Sequence, residues 1–346
     1  MNVSNFMNWT LSSETAVGLA SNEKSVSRRS DACASASRHV VNALTIDLED
    51  WPVAVLGPQH EISGRVVENT RRLLQLLSWH HVRATFFVLT RVALRFPELV
   101  QEVHAAGHEI ASHGHGHELL TTISPRRFEQ DVRTSIEVLT QLTGQKPLGY
   151  RAPAFSIVPS TRWAGPILAD LGFRYSSSIF PIRHPRYGIP DSPNAIHRWA
   201  NCDLIECPVA TVRALGRNWP VAGGGYFRLL PGMLARGALR WVHRQGRPAV
   251  IYLHPYELDV GGVSFHKDEG LSVPLRRHLT QSLFRGRMEH RIHRLLECFT
   301  FTTLEDLLRR NSIQAEADRM SHPEQASAGH HRGAAGTVVR ASLPRS

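Results

Sequence analysis

His113, His115 and His117, separated by single glycines in the stretch GHEIASHGHGHE (Gly107 to Glu118), are where the chemistry of this chain can first be read. Four-residue spacing brings His113 and His117 to one side of a helical turn, and the glycines allow a tight loop to do the same, so the pair could chelate one divalent metal. A histidine-rich surface loop fits the same letters, because the chain holds 20 histidines and short tracts of this kind are only compositional hints. What decides is whether a carboxylate, an acid and a base are supplied elsewhere.

Those groups must be delivered by the surrounding elements. VVNALTID (Val40 to Asp47) reads as a buried strand entering an acidic turn that carries Asp47, Glu49 and Asp50. Apolar periodicity predicts a helix from about Arg65 to Trp79, a strand over Arg83 to Leu89, and a helix over Val92 to Ala106 in which Pro97 marks an N1 position or a break. The strand His108 to Ser112 delivers the histidines. Ser124 and Pro125, as N-cap and N1, start a helix that runs to Leu142, and a short strand from Leu148 to Pro153 carries Arg151. Further elements follow: a helix over Ser160 to Leu171, strands over Phe173 to Ser176 and near Leu204 to Val209, and a helix over Pro231 to Arg244. A strand over Ala249 to His254 comes next, and the chain ends its ordered part with a helix over Met288 to Glu297, a strand over Cys298 to Thr303 and a terminal helix through about Arg310. Gly223 to Gly225 reads as a loop, and residues 258–285 as polar and irregular.

Residues 1–38 and 312–346 read as a disordered leader and tail, leaving one domain over 39–311 with an extension from about residue 258. Strands alternating with helices imply an α/β fold with parallel winding, either a barrel or a doubly wound sheet. Asp47, the histidine cluster, Arg151 and His254 each fall at the C-terminal end of a predicted strand, and in a barrel those ends converge on one rim. No GxGxxG turn follows the first strand, so a dinucleotide-binding domain is poorly supported.

The formal net charge is +10 and only Lys24, Lys146 and Lys267 are lysines, so the positive charge is arginine. That balance permits an anionic polymer or a membrane surface as partner, while the lack of any nucleic-acid-binding motif gives no reason to expect nucleic acid. Cys33, Cys202, Cys207 and Cys298 form no CxxC pair and no zinc or disulfide framework. They fit a reducing compartment. No apolar run approaches the ~20 residues that span a bilayer, and the expectation is a cytoplasmic protein.

Four motifs resemble the polysaccharide deacetylases, carbohydrate esterase family four: TIDLEDW (Thr45 to Trp51), SHGHGH (Ser112 to His117), YRAPAF (Tyr150 to Phe155) and IYLHP (Ile251 to Pro255), in the family's order. HPYELD and GGGYFR (Gly223 to Arg228) further resemble its subgroup associated with bacterial exopolysaccharide and exosortase systems. The resemblance implies a distorted (β/α) barrel with about seven parallel strands. It makes Asp47 the catalytic base that takes a proton from the attacking water. His113 and His117 become metal ligands, Arg151 the partner that orients the base, and His254 the acid that protonates the leaving amine.

One position departs from the family. Where a second aspartate follows the base as a metal ligand, this chain has Leu48. Residues two apart on a strand share a face, so Glu49 is the first choice as carboxylate ligand and Asp50 the second. Two imidazoles and one carboxylate suit Zn²⁺ best, keep positions open, and let the metal activate water and polarise a carbonyl. His115 is expected to bind nothing, and a backbone N–H near Ala154 or Phe155 to meet an oxyanion.

Phe155, Tyr226, Tyr256 and Trp219 could stack on sugar rings, although aromatics in such numbers more often belong to a core. The expected function is removal of N-acetyl groups from amino sugars of a bacterial exopolysaccharide or its lipid-linked oligosaccharide precursor, with peripheral membrane association a further expectation. Arg276, Arg277, Arg285, Arg287, Arg291 and Arg294 are candidates for an anionic substrate. Hydrolysis of a small amide or imide, and non-catalytic binding of an anionic polymer, are the competing readings.

Overall fold

The structure, a computed structural model, describes residues 40–321, with side chains as far as residue 313. The leader expected over 1–38 and the tail expected beyond residue 321 lie outside the described residues. Eight residues form β1 (Val41–Leu48), and the last seven are buried, as a strand covered on both faces and paired on both edges requires. The amphipathic α1 (Arg65–Trp79) then buries Val66, Leu73, Leu76 and Leu77.

Next come β2 (Thr85–Val88), α2 (Thr90–Arg95), α3 (Pro97–Ala105), β3 (Glu109–Ser112), α4 (Pro125–Thr143), β4 (Gly149–Tyr150), α5 (Ala164–Asp170) and β5 (Tyr175–Ser176). The chain continues through β6 (His197–Arg198), β7 (Ile205–Glu206), β8 (Thr211–Ala214), β9 (Arg217–Pro220), α6 (Gly224–Leu229), α7 (Gly232–Arg244) and β10 (Val250–Leu253). It closes with α8 (Gly262–Asp268), α9 (Leu275–Ser282), α10 (Met288–Cys298), β11 (Thr300–Thr302) and α11 (Leu304–Ser321).

The main sheet has the order β10-β1-β2-β3-β4-β5-β7-β6, with β11 also on β1. Neighbours from β10 to β7 are parallel, and only β6 joins antiparallel. The path is open at both ends and curls into a half-barrel, the distorted α/β barrel that the sequence implied. Its main core packs Leu44, Ile46 and Leu48 of β1 with Phe86 and Val88 of β2 and Ile251 and Leu253 of β10.

Several elements differ from expectation. The helix expected over Val92 to Ala106 breaks at Phe96, whose extended φ of −138° precedes Pro97 at the start of α3. Ser160 to Leu171 contributes a 3₁₀ turn and the shorter α5. The glycine triplet is not a loop, because it opens α6. Residues 258–285, expected to be irregular, contain α8 and α9.

The terminal helix runs to Ser321 rather than to Arg310. One compact unit reaches Glu305 and a second begins at Asp306. Cys202, partly exposed, and Cys207, buried, are free thiols. Among the described residues no helix is long and apolar enough to cross a membrane.

Candidate active site

Asp47 leaves β1 one residue before its end, and Glu49 follows immediately after it on the same side, as strand alternation requires. Leu48 between them is fully buried in the main core. The family's ligand position is thus a core position in this chain, and Glu49 is the carboxylate that reaches the histidines. Glu49 Oε2 lies 2.7 Å from His117 Nε2 and 3.4 Å from His113 Nε2. Burial pushes the Glu49 carboxyl up, but the charges and contacts of His117 and His113 outweigh it and hold it well below the usual carboxylate range.

The histidine loop is built by its neighbours. Both oxygens of Asp131, on α4, accept backbone N–H groups: Oδ2 from His115 at 2.7 Å and Oδ1 from Gly116 at 2.8 Å. A side chain at Gly114 would meet that carboxylate at 2.7 Å, on a backbone with φ +75°. His117 itself adopts a left-handed φ of +58°, a conformation rare outside glycine and commonest where function holds it. His113 Nδ1 donates to the Arg151 carbonyl at 2.8 Å, which leaves the Nε2 lone pair facing Glu49. His115 is not among the ligand atoms that gather here.

Glu49, His113 and His117 form a group whose ligand atoms all lie within 4.8 Å of one another, every residue buried. Glu49 Oε2 makes no geometrically sound hydrogen bond. An orphaned carboxylate oxygen facing two imidazole nitrogens is the donor set a divalent cation fits. Asp50 does not join it. Its oxygens accept the N–H groups of Trp51 at 2.9 Å and Ser63 at 2.6 Å, and burial raises its pKa despite those bonds.

Arg151, fully buried, follows β4 and donates Nη1 to Asp47 Oδ1 at 2.7 Å and to Thr45 Oγ1 at 2.8 Å. Nε and Nη2 bind the Ser177 carbonyl and hydroxyl at 2.9 and 2.7 Å, and the guanidinium sits 4.2 Å over the Phe87 ring. His254, just past β10, places Nε2 3.8 Å from Asp47 Oδ2 and 3.4 Å from Glu49 Oε1. Its ring stacks on Tyr256 at 4.6 Å, and Nδ1 faces the buried Glu257 at 3.8 Å. Burial pulls the His254 pKa down, yet Glu257, Glu49 and Asp47 together raise it above the usual imidazole value.

Asp47, Glu49, His113, His117 and His254 open on one cleft of about 720 Å³, also lined by Phe155, Tyr226 and Tyr256, whereas Arg151 does not line it. Trp219 lines a different cavity. The Phe155 N–H is spent on the Ala152 carbonyl at 3.0 Å and does not await an oxyanion, while Ala154, with φ +48°, lines the cleft. Of the arginines singled out, Arg276 and Arg277 line it, Arg285 is buried, and Arg287, Arg291 and Arg294 line another cavity. Sequence reasoning gave no role to Thr45, Ser177, Asp131, Glu257 or Arg228; Thr45, Glu257 and Arg228 lie within the motifs TIDLEDW, HPYELD and GGGYFR, whereas Ser177 and Asp131 carried no local signal.

A family model described as polysaccharide deacetylase matches residues 43–176, and the domain of unknown function DUF3473 matches residues 177–309. Residues 43–176 are a polysaccharide deacetylase domain. This domain is where the similarity to characterised proteins lies. The peptidoglycan deacetylase of Helicobacter pylori is 32% identical over 108 residues, 31% of this chain and 36% of that protein. The peptidoglycan-N-acetylglucosamine deacetylase of Bacillus cereus is 29% identical over 125 residues, 34% of this chain and 46% of that protein. The chain therefore spans less than half the length of these curated relatives. A provisionally assigned polysaccharide deacetylase from Mycobacterium smegmatis superposes with a TM-score of 0.56 at 20% identity, covering 81% of this chain and 92% of the other. That likeness extends the shared fold beyond the deacetylase domain.

Proposed function

We propose that this chain is a metal-dependent hydrolase that removes N-acetyl groups from amino sugars of a bacterial exopolysaccharide or its lipid-linked precursor, acting in the cytoplasm. One observation carries the reading: Glu49, His113 and His117 converge on one point with Asp47 and His254 beside it, in a single cleft. Glu49, His113 and His117 would hold the cation, Zn²⁺ by the preference of this donor set, and it would supply a Lewis acid for the water and the acetyl carbonyl.

The protein's own groups do the rest. Arg151 fixes Asp47 through Oδ1, leaving Oδ2 toward the cleft to take a proton from the water that attacks the acetyl carbon. His254 Nε2 gives a proton to the amide nitrogen as the C–N bond breaks, so the products are acetate and a free amine. Tyr256, stacked on His254, limits rotation of the imidazole, and Phe155 and Tyr226 offer ring faces to a sugar.

The test is acetate release from N-acetylated oligosaccharides with added Zn²⁺, comparing the wild type with H113A and D47N. Loss of turnover in both variants is expected. Unchanged turnover in both would sink the assignment.

A further inference from the structure

Among the described residues Arg228 has no counter-ion. It is 2% exposed, donates Nη2 to the Thr280 carbonyl at 3.1 Å, and leaves Nε and Nη1 without a hydrogen-bond partner. Among the described residues it makes no ion pair. A guanidinium stays charged inside proteins, and a buried charge without a partner is strongly unfavourable. Yet Arg228 lines the same cleft as Asp47, Glu49, His113 and His117.

Nearby groups do not relieve it. Buried Arg285 is a second guanidinium, bound to the carbonyls of Gln281 at 2.5 Å and Asp259 at 3.0 Å. Its pKa is pushed down to about 10 by burial first and then by the charge of Arg228. The Asp259 carboxylate is taken by Arg65. The exposed Arg186 and Arg276 add positive charge to the same cleft.

The position of Arg228 is fixed from the catalytic side. A Cβ at Gly223 would lie 2.2 Å from the Tyr252 ring, and one at Gly224 2.7 Å from the Tyr252 hydroxyl. The two glycines thus let α6, which carries Arg228, press against β10 two residues before His254.

We propose that Arg228, with Arg186 and Arg276, forms an oxyanion subsite within the cleft that takes a carboxylate or phosphate group carried by the substrate. The substrate would then be an acidic N-acetylated saccharide rather than a neutral one. This rests on the deacetylase reading only for what the anion is attached to, since binding of the anion needs neither metal nor turnover. Charge-assisted hydrogen bonds to the two unused nitrogens would supply the counter-ion that the fold withholds.

Calorimetric titration of the full chain with inorganic phosphate and, separately, with glucuronate tests the subsite and separates the two sources. The wild type is expected to bind one of them, and R228M to weaken that binding about tenfold or more, since loss of one partner of a buried charge pair is felt strongly. A folded R186A/R276A double variant, altered only at exposed positions, should also bind more weakly. Binding of neither anion by the wild type overturns the proposal. So does undiminished binding by R228M or, where R228M does not fold, by R186A/R276A. In acetate release, the preference for a uronate-containing N-acetylated oligosaccharide over a neutral one should fall with the same variants. Failure of the wild type to release acetate from either would sink the deacetylase reading and leave the titration to decide the subsite.

Discussion

Arg151 and Asp47 form a buried ion pair that uses only one carboxylate oxygen: Nη1 meets Oδ1 at 2.7 Å, and Oδ2 is left 3.8 Å from His254 Nε2. The pair holds the orientation of Asp47, the proposed base, and satisfies its charge. R151M is expected to lower kcat by about 10²-fold or more and to cost about 3–5 kcal/mol of stability, because it strands a buried carboxylate. Acetate release and urea unfolding measure the two effects separately. A variant as active as the wild type would remove Arg151 from the mechanism.

The cluster of Glu49, His113 and His117 makes a prediction that needs no substrate. Excess Zn²⁺ should raise the Tm of the wild type, since binding to the native state at about 100 times Kd adds roughly 2.7 kcal/mol. A chelator should reverse the shift. E49Q and H117A should lose it, while D50N should keep it, because Asp50 is engaged with backbone N–H groups away from the cluster. A shift lost in D50N and retained in E49Q would move the carboxylate ligand to Asp50.

Restoring the family's aspartate should fail in this chain. L48D places a carboxylate where the side chain is fully buried among apolar neighbours. A loss of at least about 3 kcal/mol is expected, with no gain in zinc content by elemental analysis. A stable L48D protein with a tighter metal site would show that the strand can turn this position toward the cleft.

His108 gives a pH signature. Burial first, then Arg83, lowers its pKa from 6.5 to about 4, and its Nδ1 accepts the Ala84 N–H at 3.1 Å, which requires the neutral ring. Between pH 6.5 and 4 the unfolded chain binds this proton and the folded one does not, so the contribution of His108 to stability is lost as pH falls through that window. H108N keeps an acceptor but does not titrate, and its unfolding free energy should fall less steeply with acid than that of the wild type. Equal slopes would refute the assignment.

Gly223 combines a φ of +94° with a Cβ clash at 2.2 Å on the Tyr252 ring. G223A should destabilise the protein by about 1–3 kcal/mol and weaken anion binding through displacement of α6. Calorimetry and unfolding would show both, whereas G237A, with open space around its position, should show neither.

How legible all this was depended on how local each signal is. The continuous apolar runs of β1, β2 and β10 marked buried parallel strands, and side chains at their ends were therefore readable as one cluster. The hairpin of β8 and β9 was hidden because it turns through Leu215 and Gly216, with φ of +52° and +70°, where an asparagine would have signalled the same geometry. In α9 no residue is buried, so no core-facing stripe sets it apart from an irregular segment. Asp131 acts on backbone N–H groups brought to it by the fold, and nothing adjacent to it in sequence announces it; Arg228 closes the GGGYFR motif, but the motif does not show that its side chain is buried with two nitrogens unused.

The order of strands around β1 bears on how this protein could have been assembled. β1 lies inside the deacetylase match, yet two of its three pairing strands, β10 and β11, lie inside the DUF3473 match. His254, at the end of β10, comes from the second stretch as well. A chain ended at residue 176 would expose one whole edge of β1 and lack His254, the proposed acid. The two matches are therefore halves of a single sheet, and exchanging either alone would remove strands that β1 pairs with.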